Sequence, residues 1–126
     1  MQACAKILIA ENNDLLLEAY TTFFSNANFE VVTATNGVEA LVLLIGNDYD
    51  IVLTDNFMPF LTGVELLAQC QTLTKKLPIF ILNTGHSDLR SLGDTSKFFA
   101  VLRKGTDAVK LLATVEKALE RVVQVH

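Results

Sequence analysis

Basic residues are scarce and scattered in this chain. Lys and Arg number 10 against 14 Asp and Glu, for a net charge of -4. The only adjacent basic pairs are Lys75-Lys76 and Arg103-Lys104, which excludes a module held mainly by nucleic-acid phosphates. Cysteine is nearly missing as well. Cys4 and Cys70 supply neither a disulfide framework nor a zinc site, and they suit a reducing compartment. Long apolar runs are absent, stretches such as Ala40 to Ile45 being far too short to cross a bilayer. Only Lys6 precedes the first apolar stretch, so no secretory signal is visible and the expected setting is the cytoplasm. There is no internal repeat, low-complexity tract or linker.

What is present is a core. The 126 residues are 51% hydrophobic and 19% charged, which fits one compact domain over residues 1–126 and rules out a disordered segment.

Apolar runs and helical patterns alternate along the chain. Lys6–Ala10 (KILIA), Phe29–Ala34, Ile51–Thr54, Pro78–Leu82 and Ala100–Leu102 read as strands. Helices are expected over Leu15–Phe24 and from Gly37 to about Gly46, the second with Leu41, Leu44 and Ile45 on one face. Asn36 is the cap of that helix, with Glu39 reaching back from the third helical position. Further helices are expected over Val64–Leu73 and, more weakly, Asp88–Asp94. The last runs over Thr106–Val123 with Val109, Leu112, Val115, Leu119 and Val122 inward. Such alternation implies a doubly wound α/β fold, a parallel sheet covered on both faces. Ligands of such sheets bind beyond the carboxyl ends of the strands.

The polar residues gather there. Glu11 and Asn12 follow the first strand, Asp55 the third, Asn83-Thr84 the fourth and Lys104 the fifth. Two carboxylates, an amide, a hydroxyl and an ammonium make a candidate site for a hard cation and a phosphoryl group. Oxygen donors suit magnesium, which keeps several of its waters. Lys104 offers a point charge to a phosphoryl oxygen and Thr84 a hydroxyl donor. His86-Ser87-Asp88 contains hydrolase letters, but consecutive residues cannot form the hydrogen-bond chain that hydrolysis needs, so a loop is the better reading. The loop after the first strand has no G-x-G-x-x-G or P-loop pattern, which argues against a nucleotide-binding enzyme.

Over Lys6 to Arg121 the chain resembles the receiver domains of bacterial two-component response regulators, of the chemotaxis-regulator type. KILIAENND, ATNGVEAL, DIVLTDNFMPFLTG, LPIFILNTGHSD and VLRKG carry the resemblance, and the third segment is the most specific. The resemblance implies a flavodoxin-like five-stranded parallel sheet in the order 2-1-3-4-5. It implies a phosphorelay protein rather than an enzyme with a separate substrate. Asp55 would be the phosphoacceptor, Thr84 and Lys104 would assist it, and magnesium would be held by Glu11, Asn12, Asp55 and the backbone carbonyl of Phe57. A histidine kinase or phosphotransfer protein would be the donor, and a downstream protein or fused output domain the recipient of the signal. No direct nucleic-acid contact and no membrane insertion are implied.

Four residues depart from that family. Asn12 stands where a second acid is usual, so magnesium is expected to bind more weakly. Thr84 lies one residue beyond the usual hydroxyl position, occupied here by Asn83; Thr84 is the expected participant and needs a bulge to serve. Gly105 replaces a proline that often follows a cis bond, so a trans peptide and a re-aimed Lys104 are expected. Val101 replaces the aromatic switch. These departures motivate an alternative, a phosphorylation-independent pseudo-receiver that acts as a protein-interaction module.

Overall fold

The structure is a computed structural model that describes residues 4–85 and 89–124. In chain order it contains β1 (Lys6–Ala10), α1 (Asp14–Asn26), β2 (Glu30–Ala34), α2 (Gly37–Gly46), β3 (Ile51–Thr54), α3 (Gly63–Leu73) and β4 (Ile79–Thr84). A short 3-10 turn (Leu89–Leu92), β5 (Ala100–Arg103) and α4 (Ala108–Gln124) complete it. The five strands are parallel, as their alternation with helices leads one to expect, in the order β2-β1-β3-β4-β5 that the resemblance implies.

Side chains on a strand alternate between faces, and each face here has its own core. Leu8, Ala10, Val52, Phe80 and Leu82 pack against Ala40 and Leu44 of α2 and Leu66, Leu67 and Cys70 of α3. Ile7, Ile9, Ile51, Leu53 and Ile81 pack against Leu17 and Phe24 of α1 and Leu111, Val115 and Ala118 of α4. Strands buried on both sides must be apolar at nearly every position, which is why KILIA and IVLT read as continuous runs.

Helix starts are fixed by side-chain caps. Asn13 accepts from Leu16 N–H at 3.1 Å, and Asn36 accepts from Glu39 N–H at 2.8 Å. Glu39 does reach back, but to the N–H of Thr35 (3.0 Å) rather than to that of the cap itself. Thr62 and Glu65 form a complete capping box at α3. Each such cap contributes about 1 kcal/mol.

Several expectations need correcting. β4 runs two residues past Leu82, because Asn83 and Thr84 go on pairing with Leu102 and Arg103 of β5. The helix expected over 88–94 reduces, among the described residues, to the 3-10 turn, followed by Gly93 at φ 94°. His86, Ser87 and Asp88 lie outside the described residues. Leu44 is buried and Leu41 packs partly buried on the core, as expected, but Ile45 is 53% exposed and Ala40 takes its place among the buried residues. Val109 is 79% exposed, and α4 buries Leu111, Val115 and Ala118 at the i, i+4, i+7 spacing. The α4 helix starts at Ala108 rather than Thr106 because Asp107 caps it, accepting from Lys110 N–H at 2.8 Å.

Candidate functional site

The site grows from strand ends. Glu11 extends β1 by one residue, its N–H bonded to Ala34 O at 3.0 Å. Asp55 extends β3 in the same way, its N–H bonded to Ala10 O at 2.9 Å. Continuing the alternation, Glu11 follows Ile7 and Ile9, Asp55 follows Ile51 and Leu53, Asn83 follows Ile81, and Lys104 follows Ala100 and Leu102. All four therefore belong to the face covered by α1 and α4.

Lys104 joins the acids. Its Nζ lies 2.8 Å from Glu11 Oε1 and 3.0 Å from Asp55 Oδ2. Glu11 is 2% and Asp55 5% exposed, so both carboxylates are held out of water and need these partners. Their remaining oxygens are met by backbone: Asn13 N–H donates to Glu11 Oε2 (3.0 Å) and Asn56 N–H to Asp55 Oδ1 (2.7 Å). Burial disfavours the charge on Lys104, but its hydrogen bonds to Glu11 and Asp55 and their negative charge together outweigh that. Its pKa is raised above the ordinary lysine value. The Lys104–Gly105 peptide is trans, as expected. Lys104 is nevertheless not turned away; Gly105 takes φ 95° and the ammonium still reaches both acids.

Thr84 does not join the cluster. It stands opposite Arg103 in an unbroken ladder, fully buried, and alternation gives it the face of Phe80 and Leu82. The bulge that would bring its hydroxyl round is not there. The polar residue that β4 sets beside Asp55 is Asn83, whose Nδ2 donates to the Tyr20 hydroxyl at 2.9 Å. Its Oδ1 is buried without a partner, a condition that costs about 1–3 kcal/mol. Asn12 is exposed beside Glu11, and Phe57 is exposed in the loop after Asp55.

Sequence reading missed Asn56, which shapes that loop. It is buried, its carbonyl accepts from Gly63 N–H (3.0 Å) and its Oδ1 accepts from Val64 N–H (3.1 Å). The β3 end is thereby fastened to the start of α3. Gly63 permits this closeness: a Cβ there would stand 2.5 Å from Asp55 O and 2.9 Å from Leu82 Cδ1. An Asp-Asn pair followed by a glycine eight residues after the Asp was the available signal.

Cys70 is buried against the opposite face of the sheet, the one covered by α2 and α3. Burial pushes its thiol pKa up, partly offset by a hydrogen bond with Thr74, which suits a packing residue rather than a reactive one.

A buried aspartate at the end of the central strand, paired with a lysine from β5, on a 2-1-3-4-5 sheet is the arrangement that the resemblance to receiver domains implies. The model of the response regulator receiver domain matches residues 7–117, and the chain belongs to that family. It is 31% identical over 121 residues to the probable transcriptional regulator ycf29 of Pyropia yezoensis, covering 94% of this chain and 54% of that protein. It is 33% identical over 120 residues to the phosphoglycerate transport system transcriptional regulatory protein PgtA of Salmonella typhimurium, covering 94% of this chain and 28% of that one. The chain thus spans about half, or less, of the length of these curated relatives. Among solved structures, a response regulator receiver domain protein from Clostridium thermocellum superposes with a TM-score of 0.87 at 29% identity, covering 97% of this chain and 99% of that one. The response regulator TrrA of Thermotoga maritima, solved in complex with Mg(2+)-BeF, gives 0.82 at 27% identity over 90% and 98% of the two chains.

Proposed function

We propose that this receiver domain accepts a phosphoryl group on Asp55 from a phosphohistidine of a histidine kinase or phosphotransfer protein. The observation that carries the reading is the pairing of buried Asp55 with Lys104 at 3.0 Å. One Asp55 carboxylate oxygen attacks phosphorus, the N–P bond to the donor imidazole breaks, and the imidazole keeps the electron pair and takes up a proton. Lys104 pairs with a phosphoryl oxygen as it arrives, and Asn56 N–H holds the carboxylate in place. The chain is a phosphoacceptor and turns over no separate substrate.

The donor set fits magnesium in part. Among the described residues no three His, Cys, Asp or Glu side chains gather as a metal cluster. Two buried carboxylates do meet, and an exposed asparagine follows the first of them. The Glu11 and Asp55 carboxylates, the Asn12 amide oxygen and the Phe57 carbonyl would hold the ion, which supplies positive charge for the phosphoryl oxygens. Two carboxylates against one ammonium leave a formal charge of -1, so weak affinity is expected.

The recipient of the signal is a downstream protein or an output domain fused to this one. The relatives' names, transcriptional regulators in both cases, support an output in gene control. We take the setting to be the cytoplasm, in keeping with two free thiols, and no described helix is long and apolar enough to cross a membrane.

Incubation with acetyl phosphate, with and without magnesium, tests the reading by intact mass. A single magnesium-dependent phosphoryl adduct, absent from Asp55→Asn, is expected. No adduct, with beryllofluoride failing to bind, would reject it in favour of a phosphorylation-independent interaction module.

A further inference from the structure

Helix α2 is apolar on both sides. Glu39 is its one charged residue, and the rest are glycine, alanine, valine, leucine and isoleucine. A helix that is hydrophobic all round is normally covered all round. This one is covered on one side only. Gly37, Ala40 and Leu44 are buried, while Val38, Val42 and Ile45 are 46%, 63% and 53% exposed at the i, i+4, i+7 spacing of one stripe. The stripe runs into a groove of about 340 Å³ lined by Asn36, Val38, Glu39 and Phe60. A cavity of roughly 150 Å³ already holds a benzene ring, so the groove has room for a large apolar side chain.

Phe60 stands at that groove in a conformation bulky residues rarely adopt. Its φ is 75°, and its ring is 79% exposed, so little burial offsets the left-handed backbone. The loop that carries it is seated on the helix start. Gly37 N–H donates to Pro59 O at 3.4 Å, and a Cβ on Gly37 would stand 2.4 Å from Leu61 O. Strain that packing within the chain does not explain points to a contact made outside it.

Charge decides what kind of partner fits. Residues 7–74, which run from β1 to the end of α3, hold nine of the 14 acids and none of the ten bases. The other five acids share the rest of the chain with all ten bases. Glu39 lines the groove itself, and Glu65 is exposed at the start of α3, just past the loop. A second copy in a two-fold pair would set these acids against their own counterparts. A basic partner would neutralise them.

We propose that the α2 stripe and the groove at Phe60 form a docking surface for a basic amphipathic helix of another protein. Its apolar residues lie along Val38, Val42 and Ile45, and its Lys or Arg residues face Glu39 and Glu65. Helices laid in apolar grooves use anchors at this spacing, and Phe60 supplies an aromatic one. The surface uses none of Glu11, Asp55 and Lys104, so the inference stands apart from the phosphoacceptor reading.

The test titrates two dye-labelled helical peptides with the full chain and follows fluorescence anisotropy. One is built of leucine and lysine, the other of leucine and glutamate with the same apolar positions. The lysine peptide binds at least about tenfold more tightly. Phe60→Asn, which tolerates the left-handed backbone, and Val42→Gln each weaken it about tenfold. Glu39→Gln with Glu65→Gln keeps an oxygen for both helix starts and weakens binding about two- to fivefold, an effect that salt at about 1 M removes. Val109→Gln, at an exposed apolar residue of α4, binds like the wild type. The inference is overturned if the wild type binds neither peptide, if it binds both equally, or if Phe60→Asn and Val42→Gln bind the lysine peptide unchanged. Sedimentation equilibrium of the chain alone adds one more arm. A wild-type dimer that Phe60→Asn dissociates would show a second copy on this surface and overturn the basic partner.

Discussion

Among the described residues Lys104 is the only cation against two carboxylates that are almost entirely buried, so its removal should expose how much of the site is held by charge. Lys104→Met keeps the length of the side chain and deletes the ammonium. Hydrogen bonds to a charged partner contribute about 1.5–3 kcal/mol each, and Lys104 makes two, at 2.8 and 3.0 Å. The lysine side chain is 23% exposed. Water therefore screens part of the gain, and the expected loss is about 3 kcal/mol, at the low end for breaking a buried pair. What remains after the change is two buried carboxylates facing each other without a counter-charge. Glu11→Gln removes one of them, and alone it should cost about 2 kcal/mol through its lost bond to Lys104. Independent effects would then sum to about 5 kcal/mol, whereas relief of the repulsion predicts about 3 kcal/mol for the double variant. Urea unfolding at pH 7, analysed by linear extrapolation, gives the four free energies. Added magnesium should stabilise Lys104→Met more than the wild type, since an ion that binds only the folded state stabilises it by mass action. Additivity within about 0.5 kcal/mol, together with indifference to magnesium, would refute the idea that Lys104 balances the two acids.

Three further outcomes are expected. Gly63→Ala should cost about 2–3 kcal/mol and slow phosphoryl uptake, because the added Cβ meets Asp55 O at 2.5 Å; an unchanged urea midpoint would show that the loop has room to yield. Phe60→Gly should stabilise the chain by about 0.5–1 kcal/mol, the relief of a left-handed side chain less the extra flexibility of unfolded glycine. Phe60 has φ 75° and a ring 79% exposed, so little packing is lost, and a lowered Tm would contradict this. Stability should also fall more steeply in alkali for the wild type than for Lys104→Met. The folded pKa of Lys104 lies above the unfolded value of about 10.4, so its contribution is complete below that pH and disappears as pH rises through the folded value. Curves that stay parallel from about pH 10 to 12 would remove Lys104 as the cause.

The strands were legible because burial on two faces leaves little freedom of composition, and the polar residue that ends each run then falls at the site edge. Glu11, Asp55 and Lys104 could be read for that reason. The Asn83/Thr84 choice could not, because facing is set by the ladder partners on β3 and β5, 28 and 19 positions away, and not by the local Thr-Gly-His pattern. Helix facing failed where apolar residues are too many to define a stripe. Between Ala40 and Ile45 every residue of α2 is apolar; Leu44 is buried as expected, but only packing selects Ala40 over Ile45 as its buried companion. Asn56 and Tyr20 were hidden for a different reason. Tyr20 acts through a hydrogen bond across 63 positions, and Asn56 through two, to Gly63 and Val64, across 7 and 8 positions.

These same bonds tie the site to its helices. Glu11 accepts from Asn13 N–H, and the Asn13 side chain in turn caps α1 at Leu16, so the charge state of the site and the start of α1 share one chain of hydrogen bonds. Asn83 meets α1 again two turns further on, at Tyr20. On the other side Asn56 joins the Asp55 backbone to the first turn of α3. A group added to Asp55 must redistribute the Lys104 ammonium between itself and Glu11, and Glu11 then bears directly on the α1 cap. The absence of an aromatic at Val101, which packs partly buried on the α2/α3 face, removes one usual route outward through β5. Among the described residues these hydrogen bonds lead to α1 and α3, and α1 is held at two points.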